Sequence, residues 1–253
     1  MHTRLLVRDD VSNAAHVAVA AYVDDAQDAY IYPKRHEYPL RYLKVKTDII
    51  QHSLEDSIAL PIVAVLEPND EGWNGTPEIM GFCIWYREGA DQNEEEAQNR
   101  DAQKKKPWIS RLKERILDSD VVDYIRDVRN PIVDASHARA VAETCSRSDS
   151  QRWIEDGYQK PEQFYGIMDV AVDPKFQRRG VARMLLEWGM ARAEKENVPV
   201  HLSATPAGAP LYRSLGFRGV GKWTWRPNQE AEWEIMRWDP PRSGLGQTGR
   251  SAA

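Results

Sequence analysis

The segment from residue 164 to residue 217 constrains the fold of this chain more than any other feature. Phe164–Val172 is rich in β-forming residues, and the strand must stop near Pro174 because proline has no N–H to donate to a sheet. After a short loop, apolar residues recur at the spacing of one helical face, at Val181, Met184, Leu185 and Trp188. A strand, a loop and a helix therefore follow one another directly.

A second strand and a short helix are predicted beyond this first helix. Val198–Ala204 has the pattern of a strand, and a helix separates it from the strand before. We therefore expect the two strands to be parallel neighbours joined by a right-handed crossover. Ala209–Phe217 then predicts a short helix that Gly216 can end in a left-handed cap.

The loop before the first of these helices is basic, although the chain as a whole carries a formal net charge of -5. Its cations are Lys175, Arg178, Arg179 and Arg183. The first turn of a helix leaves backbone N–H groups unpaired and carries partial positive charge, and Gly180 permits close approach of a ligand to the backbone. These features favour a pyrophosphate site, although a solvated helix end would show the same charges.

Apolar patterns predict most of the remaining elements. Strands are indicated at Leu5–Val7, 61–66, 79–86, 219–225 and 231–238. Helices are indicated from about Asp9, Asp10 or Ser12, which can cap a helix, and over residues 40–54. The strands at 61–66 and 79–86 are expected to form one hairpin, and the last two strands another.

A polar insertion is predicted at about 88–160 within a single domain over 1–239. Its acidic run at 94–96 and basic run at 104–106 are typical of a solvated surface. One helix in it is expected to pack on the domain or cover a site, because Trp108, Ile109, Leu112 and Ile116 share a helical face. The glycine-rich tail, 240–253, is expected to be disordered.

Composition excludes several classes of protein. The net negative charge gives no general attraction to nucleic acid, and we expect no nucleic-acid partner. Cys83 and Cys145 have no disulfide or zinc-ligand spacing, so we expect no metal site and a reducing compartment. The chain has no signal-peptide pattern and no apolar run long enough to span a membrane. We expect an intracellular protein, cytoplasmic or nuclear, as a monomer or homodimer.

The sequence resembles the GCN5-related N-acetyltransferase (GNAT) superfamily, and in layout it is similar to uncharacterised fungal members. The family motif Q/R-x-x-G-x-G/A is matched by Gln177-Arg178-Arg179-Gly180-Val181-Ala182. The match extends to Asp169–Pro174 before the motif and to Leu211–Phe217 after it. The resemblance implies an α/β (α+β) fold: a mixed, mostly antiparallel twisted sheet of six to seven strands, with splayed central parallel strands and flanking helices.

The resemblance also implies where acetyl-CoA binds. Pantetheine would lie along the strand that ends at Val172, and the backbone N–H of Val170 would polarise the thioester carbonyl. Backbone N–H groups from Arg178 to Ala182 would bind the pyrophosphate. The implied cofactor-binding residues are Val170, Ala171, Val172, Gln177, Arg178, Arg179, Gly180, Val181, Ala182, Arg183 and Tyr212.

Tyr212 matches the tyrosine that protonates the departing thiolate in many family members. The residue that would act as the general base is not identified by the sequence. Family members often carry Glu or His two residues before the position of Val170, and Met168 stands there in this chain. Strand alternation turns Asp169 to the opposite face unless a bulge rotates it. The other candidates considered are His201, Glu162, Tyr165 and a water chain.

The sequence predicts an N-acetyltransferase that moves an acetyl group from acetyl-CoA directly to a primary amine, on a small molecule or a peptide. The alternative is a non-catalytic CoA-binding or protein-interaction module on the same fold, which the missing acid at Met168 permits. Residues 22–60 and the insertion are expected to line the acceptor side. Four aromatic residues there belong either to that lining or to the core: Tyr30, Tyr32, Trp85 and Trp108.

Overall fold

The structure is a computed structural model, and it describes residues 1–89, 131–151, 161–226 and 232–241. The expected helix at Trp108, both charged runs of the insertion and nearly all of the 240–253 tail lie outside these residues. Among the helices of the described ranges, none is both long and apolar enough to cross a membrane.

The N-terminal third contributes an edge strand and three helices. They are β1 (His2–Leu5), α1 (Val11–Ala21), α2 (Ala26–Ile31) and α3 (Pro39–Glu55). The Asp10 carboxylate, just before α1, accepts a hydrogen bond from the Val7 N–H at 2.9 Å and pairs with Arg4. The Asp25 carboxylate caps α2 by accepting from the Asp28 N–H at 2.8 Å, which satisfies a donor of the first turn.

The remaining elements build most of the sheet and its second helical layer. They are β2 (Ala59–Val65), β3 (Ile79–Glu88), α4 (Ala135–Gln151), β4 (Phe164–Val172), α5 (Val181–Glu196), β5 (Val200–Ala204), α6 (Ala209–Ser214), β6 (Arg218–Thr224) and β7 (Glu232–Trp238). Helix α4 lies in the predicted insertion and packs on β6 through Val141, which joins a cluster with Trp223 and Trp225.

Seven strands form one sheet in the order β1-β2-β3-β4-β5-β7-β6. All neighbouring pairs are antiparallel except β4 and β5, which are parallel. This confirms the mixed, mostly antiparallel sheet and the parallel pair predicted from the crossover helix. Both expected hairpins, β2–β3 and β6–β7, are present.

Two apolar layers enclose the sheet. Helices α5 and α6 cover one face, where Leu185, Leu186 and Trp85 are almost fully buried. Helix α5 approaches the sheet closely at Gly189, because a Cβ there would lie 2.2 Å from the Trp85 indole. Helices α1 and α3 cover the other face through Ala14, Ala15 and Ile50, together with strand residues such as Phe82.

Candidate acetyl-CoA and acceptor site

The two parallel central strands separate soon after they meet. Only Tyr165 and Gly166 of β4 pair with β5, opposite Val200 and His201. The rest of β4 continues to Val172 along β3 alone, so its other edge faces a gap. A sheet edge that is open on one side can hydrogen-bond an extended ligand as if it were another strand.

The hydrogen-bond pattern shows which backbone groups line this gap. The Asp173 N–H donates to the Met80 carbonyl at 2.9 Å, on the β3 side. Because these groups alternate along an antiparallel ladder, Ala171 also turns its N–H toward β3, whereas Val170 and Val172 turn theirs toward the gap. Ala171 thus lies between two donors and presents no polar backbone group of its own to the gap.

The loop after β4 bends sharply into the start of α5. Arg178 and Gly180 both have positive φ, 65° and 83°, and Gly180 is the residue before the first helical turn. The Met184 N–H is the first to bond back along α5, to the Gly180 carbonyl at 3.0 Å. The N–H groups of Val181, Ala182 and Arg183 therefore precede the helical ladder and suit an anion.

The cations of the loop are not equivalent. Lys175 pairs with Glu78, Arg179 donates to the Glu71 carbonyl at 2.9 Å, and Arg183 donates to Ser214 Oγ at 2.8 Å. Within the described ranges, Arg178 makes no ion pair or hydrogen bond and is exposed at the helix start.

The side chain of Gln177 connects the loop to the strand, because its Nε2 donates a hydrogen bond to the Val172 carbonyl at 3.3 Å.

Tyr212 is held by the end of α6. The Phe217 N–H donates to the Tyr212 carbonyl at 3.1 Å and Gly216 has φ 89°, which together form the left-handed helix cap expected from the sequence. The Tyr212 ring is buried and packs edge-to-face on Phe217 at 5.7 Å. Burial, and then the charges of Cys83 and Asp169, raise its pKa above the usual value for tyrosine.

A bulge in β4 decides the position of Asp169. Ile84 of β3 pairs with Asp169 and the next residue, Trp85, pairs with Ile167, so Met168 is the extra residue on β4. Met168 packs with the apolar residues on the α1 side, and the Asp169 carboxylate also meets α1. The bulge thus places Met168 and Asp169 on the same side of β4, toward α1, whereas Val170 packs on the α5 side and regular alternation holds from Asp169 to Val172.

Asp169 lies in a polar contact beside the gap. The Tyr22 hydroxyl, at the end of α1, donates to the Asp169 carboxylate and lies 3.0 Å from the Val170 carbonyl. Burial raises the pKa of Asp169, while Lys46 and the Tyr22 hydrogen bond act in the opposite direction without cancelling it. Sequence patterns gave no signal for Tyr22 or Lys46, because their roles depend on α1 and α3 packing beside β4.

The other candidate bases have different surroundings. His201 is buried, 2% exposed, and packs edge-to-face on Phe164 at 6.0 Å. The Tyr165 hydroxyl donates to Glu196 at 2.5 Å on the α5 side, and burial raises the pKa of Tyr165 to about 12. Glu162 is exposed before β4. The structure therefore brings Asp169, rather than these three, beside Val170.

The aromatic residues expected near the acceptor side also have different surroundings. Trp85 is a core residue whose Nε1 donates to the Leu185 carbonyl at 3.2 Å. Tyr32 is buried against Tyr42, and Tyr30 stacks on His137 at 3.7 Å. Tyr32 thus belongs to the α1–α3 side, where the centre of its ring lies 5.8 Å from the Lys46 ammonium.

The site thus combines two separating strands, a basic helix start, and a partly buried acid and a buried tyrosine on opposite sides of β4. Residues 145–219 match a family model described as an acetyltransferase (GNAT) domain. An acetyltransferase of Stachybotrys chartarum is 24% identical to this chain over 220 residues, which cover 87% of this chain and 81% of that protein.

Solved structures share the fold. A structure described as histone acetyltransferase HPA2 and related acetyltransferase, from Corynebacterium glutamicum, has a TM-score of 0.53 at 17% identity, covering 97% of this chain and 98% of that one. A protein of the yellow fever mosquito named as an arylalkylamine N-acetyltransferase 7 has a TM-score of 0.56 at 14% identity, covering 94% and 86%. Residues 145–219 are thus similar to a GNAT acetyltransferase domain, and the chain has the same fold as these acetyltransferases.

Proposed function

We propose that the protein is an N-acetyltransferase that passes an acetyl group from acetyl-CoA directly to a primary amine in a ternary complex. The observation that carries the proposal is the gap beside β4, where Val170 and Val172 direct their N–H groups. The basic start of α5 lies at one end of this gap, and Asp169 and Tyr212 interact electrostatically beside it. Acceptor, cofactor and proton-transfer groups can therefore meet at one strand.

The cofactor would bind mostly through backbone groups. The pyrophosphate would accept hydrogen bonds from the N–H groups at the start of α5, with Arg178 adding charge. Pantetheine would extend along β4, and the Val170 N–H would polarise the thioester carbonyl. A donor aimed at that oxygen stabilises the negative charge that develops as the amine attacks.

Asp169 is the base that fits this geometry. An amine attacks only when its nitrogen lone pair is free, so an ammonium acceptor must first lose a proton. The pKa of Asp169 is raised by burial, which brings this carboxylate closer to the basicity that proton removal near neutral pH requires. In the step, Asp169 takes one proton from the ammonium, the freed nitrogen bonds to the carbonyl carbon, and the carbon–sulfur bond breaks. A second nitrogen proton leaves through water as the amide forms, which balances the proton that the departing sulfur receives.

Tyr212 would return a proton to the departing sulfur. Its raised pKa means that the hydroxyl keeps its proton until a basic thiolate forms beside it. The products are the N-acetylated amine and coenzyme A with its thiol protonated, so no covalent acyl-enzyme is formed.

A cysteine nucleophile is disfavoured by the surroundings of Cys83. This residue is fully buried on β3 opposite Val170, and burial, followed by the charge of Asp169, raises the pKa of its thiol. The thiolate is the reactive form, so this thiol is a poor nucleophile. We expect the Cys83→Ala, Cys145→Ala double variant to retain acetylation, and loss of turnover with intact folding would contradict direct transfer.

The acceptor is proposed to be a primary amine on a small molecule or a peptide. The names of the two similar structures refer to an arylalkylamine and to a histone as acceptors of those proteins. The second candidate function is a CoA-binding or protein-interaction module without turnover, which the lack of an acid at Met168 favours. The observation in favour of turnover is the Asp169 carboxylate beside the bulge, where it accepts a hydrogen bond from Tyr22.

Two measurements test the function. Calorimetry with acetyl-CoA should show saturable binding, and a thiol-release assay with arylalkylamines, polyamines, amino acids and short peptides should then identify amines that are acetylated. Mass spectrometry of the acceptor confirms that the gain is one acetyl group. Tight binding without thiol release for any amine would favour the module, and no binding would overturn both functions.

A further inference from the structure

Lys46 is the most enclosed cation of the acceptor side. It lies on α3 with only 7% of its surface exposed, and its Nζ is 2.5 Å from the Asp28 carboxylate of α2. Three aromatic rings surround the ammonium, at 4.6, 5.8 and 5.3 Å from their centres: Tyr22, Tyr32 and Tyr42. The Tyr42 hydroxyl also donates to Asp28, so both partners of the ion pair are held from a second direction.

Burial of such a pair is expensive. Taking an ammonium and a carboxylate out of water costs several kcal/mol per ion, and apolar residues of similar volume often stabilise a protein as well or better. A charge kept at this cost next to Tyr22, whose hydroxyl bonds Asp169, points to a role for Lys46 in the neighbouring site.

The connection to that site runs through Tyr22. The face of the Tyr22 ring meets the Lys46 ammonium, while its hydroxyl bonds to Asp169 and to the Val170 carbonyl at 3.0 Å. The cation–ring contact holds the ring, and the ring in turn holds the acid beside the gap. Lys46 thus stabilises the position of Tyr22 by direct contact, and its positive charge stabilises the ionised form of the Asp169 carboxylate.

We propose that Lys46 is a positioning residue for acetyl transfer, which, through Tyr22 and its own positive charge, holds the Asp169 carboxylate ready to accept the proton of the amine. The inference rests on the proposed function. Lys46 takes no part in the proton transfer itself, which runs from the amine nitrogen to Asp169.

The charges facing Asp169 predict the sign of the effect. The groups that face it come from α1, α3, α2, α6 and β3, and they are Tyr22, Lys46, Asp28, Tyr212 and Cys83. Lys46 is the only one of these groups that is positively charged, and it lowers the pKa of Asp169 against the effect of burial. Without Lys46, a larger fraction of Asp169 is protonated at a given pH and cannot act as a base.

The test compares three single variants on one helix. We expect Lys46→Met to reduce kcat about tenfold at neutral pH, with KM for acetyl-CoA nearly unchanged, and to move the acidic limb of the kcat profile up by about one pH unit. Lys46→Arg keeps the positive charge, so the acidic limb of its kcat profile should lie at the same pH as in the parent protein. Lys44→Met is the matched control, because Lys44 pairs with Asp48 on the exposed side of the same helix.

A double variant keeps the test valid if Lys46→Met does not fold. Lys46→Met with Asp28→Asn leaves no unpaired buried carboxylate at Asp28, so it should fold where the single variant fails. Asp28 itself raises the pKa of Asp169, so the expected shift of the acidic limb is smaller but in the same direction.

The outcomes separate this inference from the proposed function. A folded variant at Lys46 with a parent-like kcat profile, beside a parent protein that acetylates its amine, overturns the role of Lys46 alone. A parent protein that acetylates no amine overturns the proposed function itself. A shifted acidic limb that Lys46→Arg reverses, with Lys44→Met unchanged, supports the inference, because a structural role would lower stability without moving the limb.

Discussion

The two sides of β4 are built in different ways. The cofactor side consists of one continuous stretch of chain: β4, the basic loop, α5, β5 and α6, with Gly180 at its centre. The acceptor side brings together α1, α2, α3 and the bulge of β4, so that Tyr22 and Asp169 meet across 147 residues of sequence. In the proposed function, the cofactor side would use mainly backbone N–H groups, whereas the acceptor side would use buried and partly buried side chains.

This difference predicts how each side responds to substitution. Backbone donors are insensitive to most side-chain changes, so the cofactor side should fail only where φ or charge at the helix start is altered. A buried polar network has no such tolerance, because removing one member leaves another unpaired. Side-chain substitutions should therefore affect the chemical step more than the binding of acetyl-CoA.

The largest effect is expected for Asp169→Asn. Asparagine keeps a group for the Tyr22 hydroxyl but cannot accept a proton, so we expect kcat to fall about 100-fold or more with acetyl-CoA affinity unchanged. In the parent protein, activity should rise with pH as Asp169 loses its proton, and burial places this limb above the usual aspartate pKa. The variant should lack the limb in a kcat profile, and a profile that retains it would assign the base elsewhere.

Gly180→Glu should break the cofactor side. The residue has φ 83° with open space around its Cβ position, so the variant meets backbone strain but no clash, and its carboxylate repels the pyrophosphate. We expect acetyl-CoA to bind roughly 50-fold more weakly by calorimetry. Gly75→Glu is the control, with φ 99° and equally open space on the β2–β3 turn rather than at the helix start, and it should bind like the parent. Parent-like binding by Gly180→Glu would place the pyrophosphate site elsewhere.

Tyr212→Phe should lower the rate without weakening cofactor binding. The ring contact with Phe217 is retained and only the proton donor is lost, so we expect kcat to fall about tenfold. Tyr165→Phe is a matched control, since its hydroxyl bonds Glu196 on the α5 side. Equal losses in single-turnover assays of the two variants would argue against a proton donor at Tyr212.

The smallest effect is expected for the loop cations. Arg178 has no partner within the described part of the chain, so Arg178→Ala should weaken acetyl-CoA binding about threefold, and the loss should shrink at high salt. Lys175→Ala should change binding less, because Lys175 is already paired with Glu78. A larger loss for Lys175→Ala, measured by calorimetry at two salt concentrations, would reverse this ranking of the cations.

Much of the fold was predictable from local patterns. The apolar periodicities placed α1, α3, α5 and β2 through β7 close to their observed bounds, and the Gly216 cap ends α6 as expected. The first strand was predicted at Leu5–Val7 but lies at His2–Leu5, because the chain turns after Leu5 to let the Val7 N–H reach Asp10. Helix α2 was not predicted, since six residues are too few for a periodic signal.

The sequence by itself determined the cofactor side. There the groups proposed to face the ligand are backbone N–H groups, whose directions follow from the strand, the glycine and the helix start in chain order. Only the tertiary structure decided the proposed acceptor side, because the bulge at Met168 puts both Met168 and Asp169 on the α1 side of β4, and β3 must be in place before that bulge exists. The cluster formed by Lys46, Asp28 and Tyr22 likewise depends on how the helices pack together, and no spacing along the chain encodes that packing.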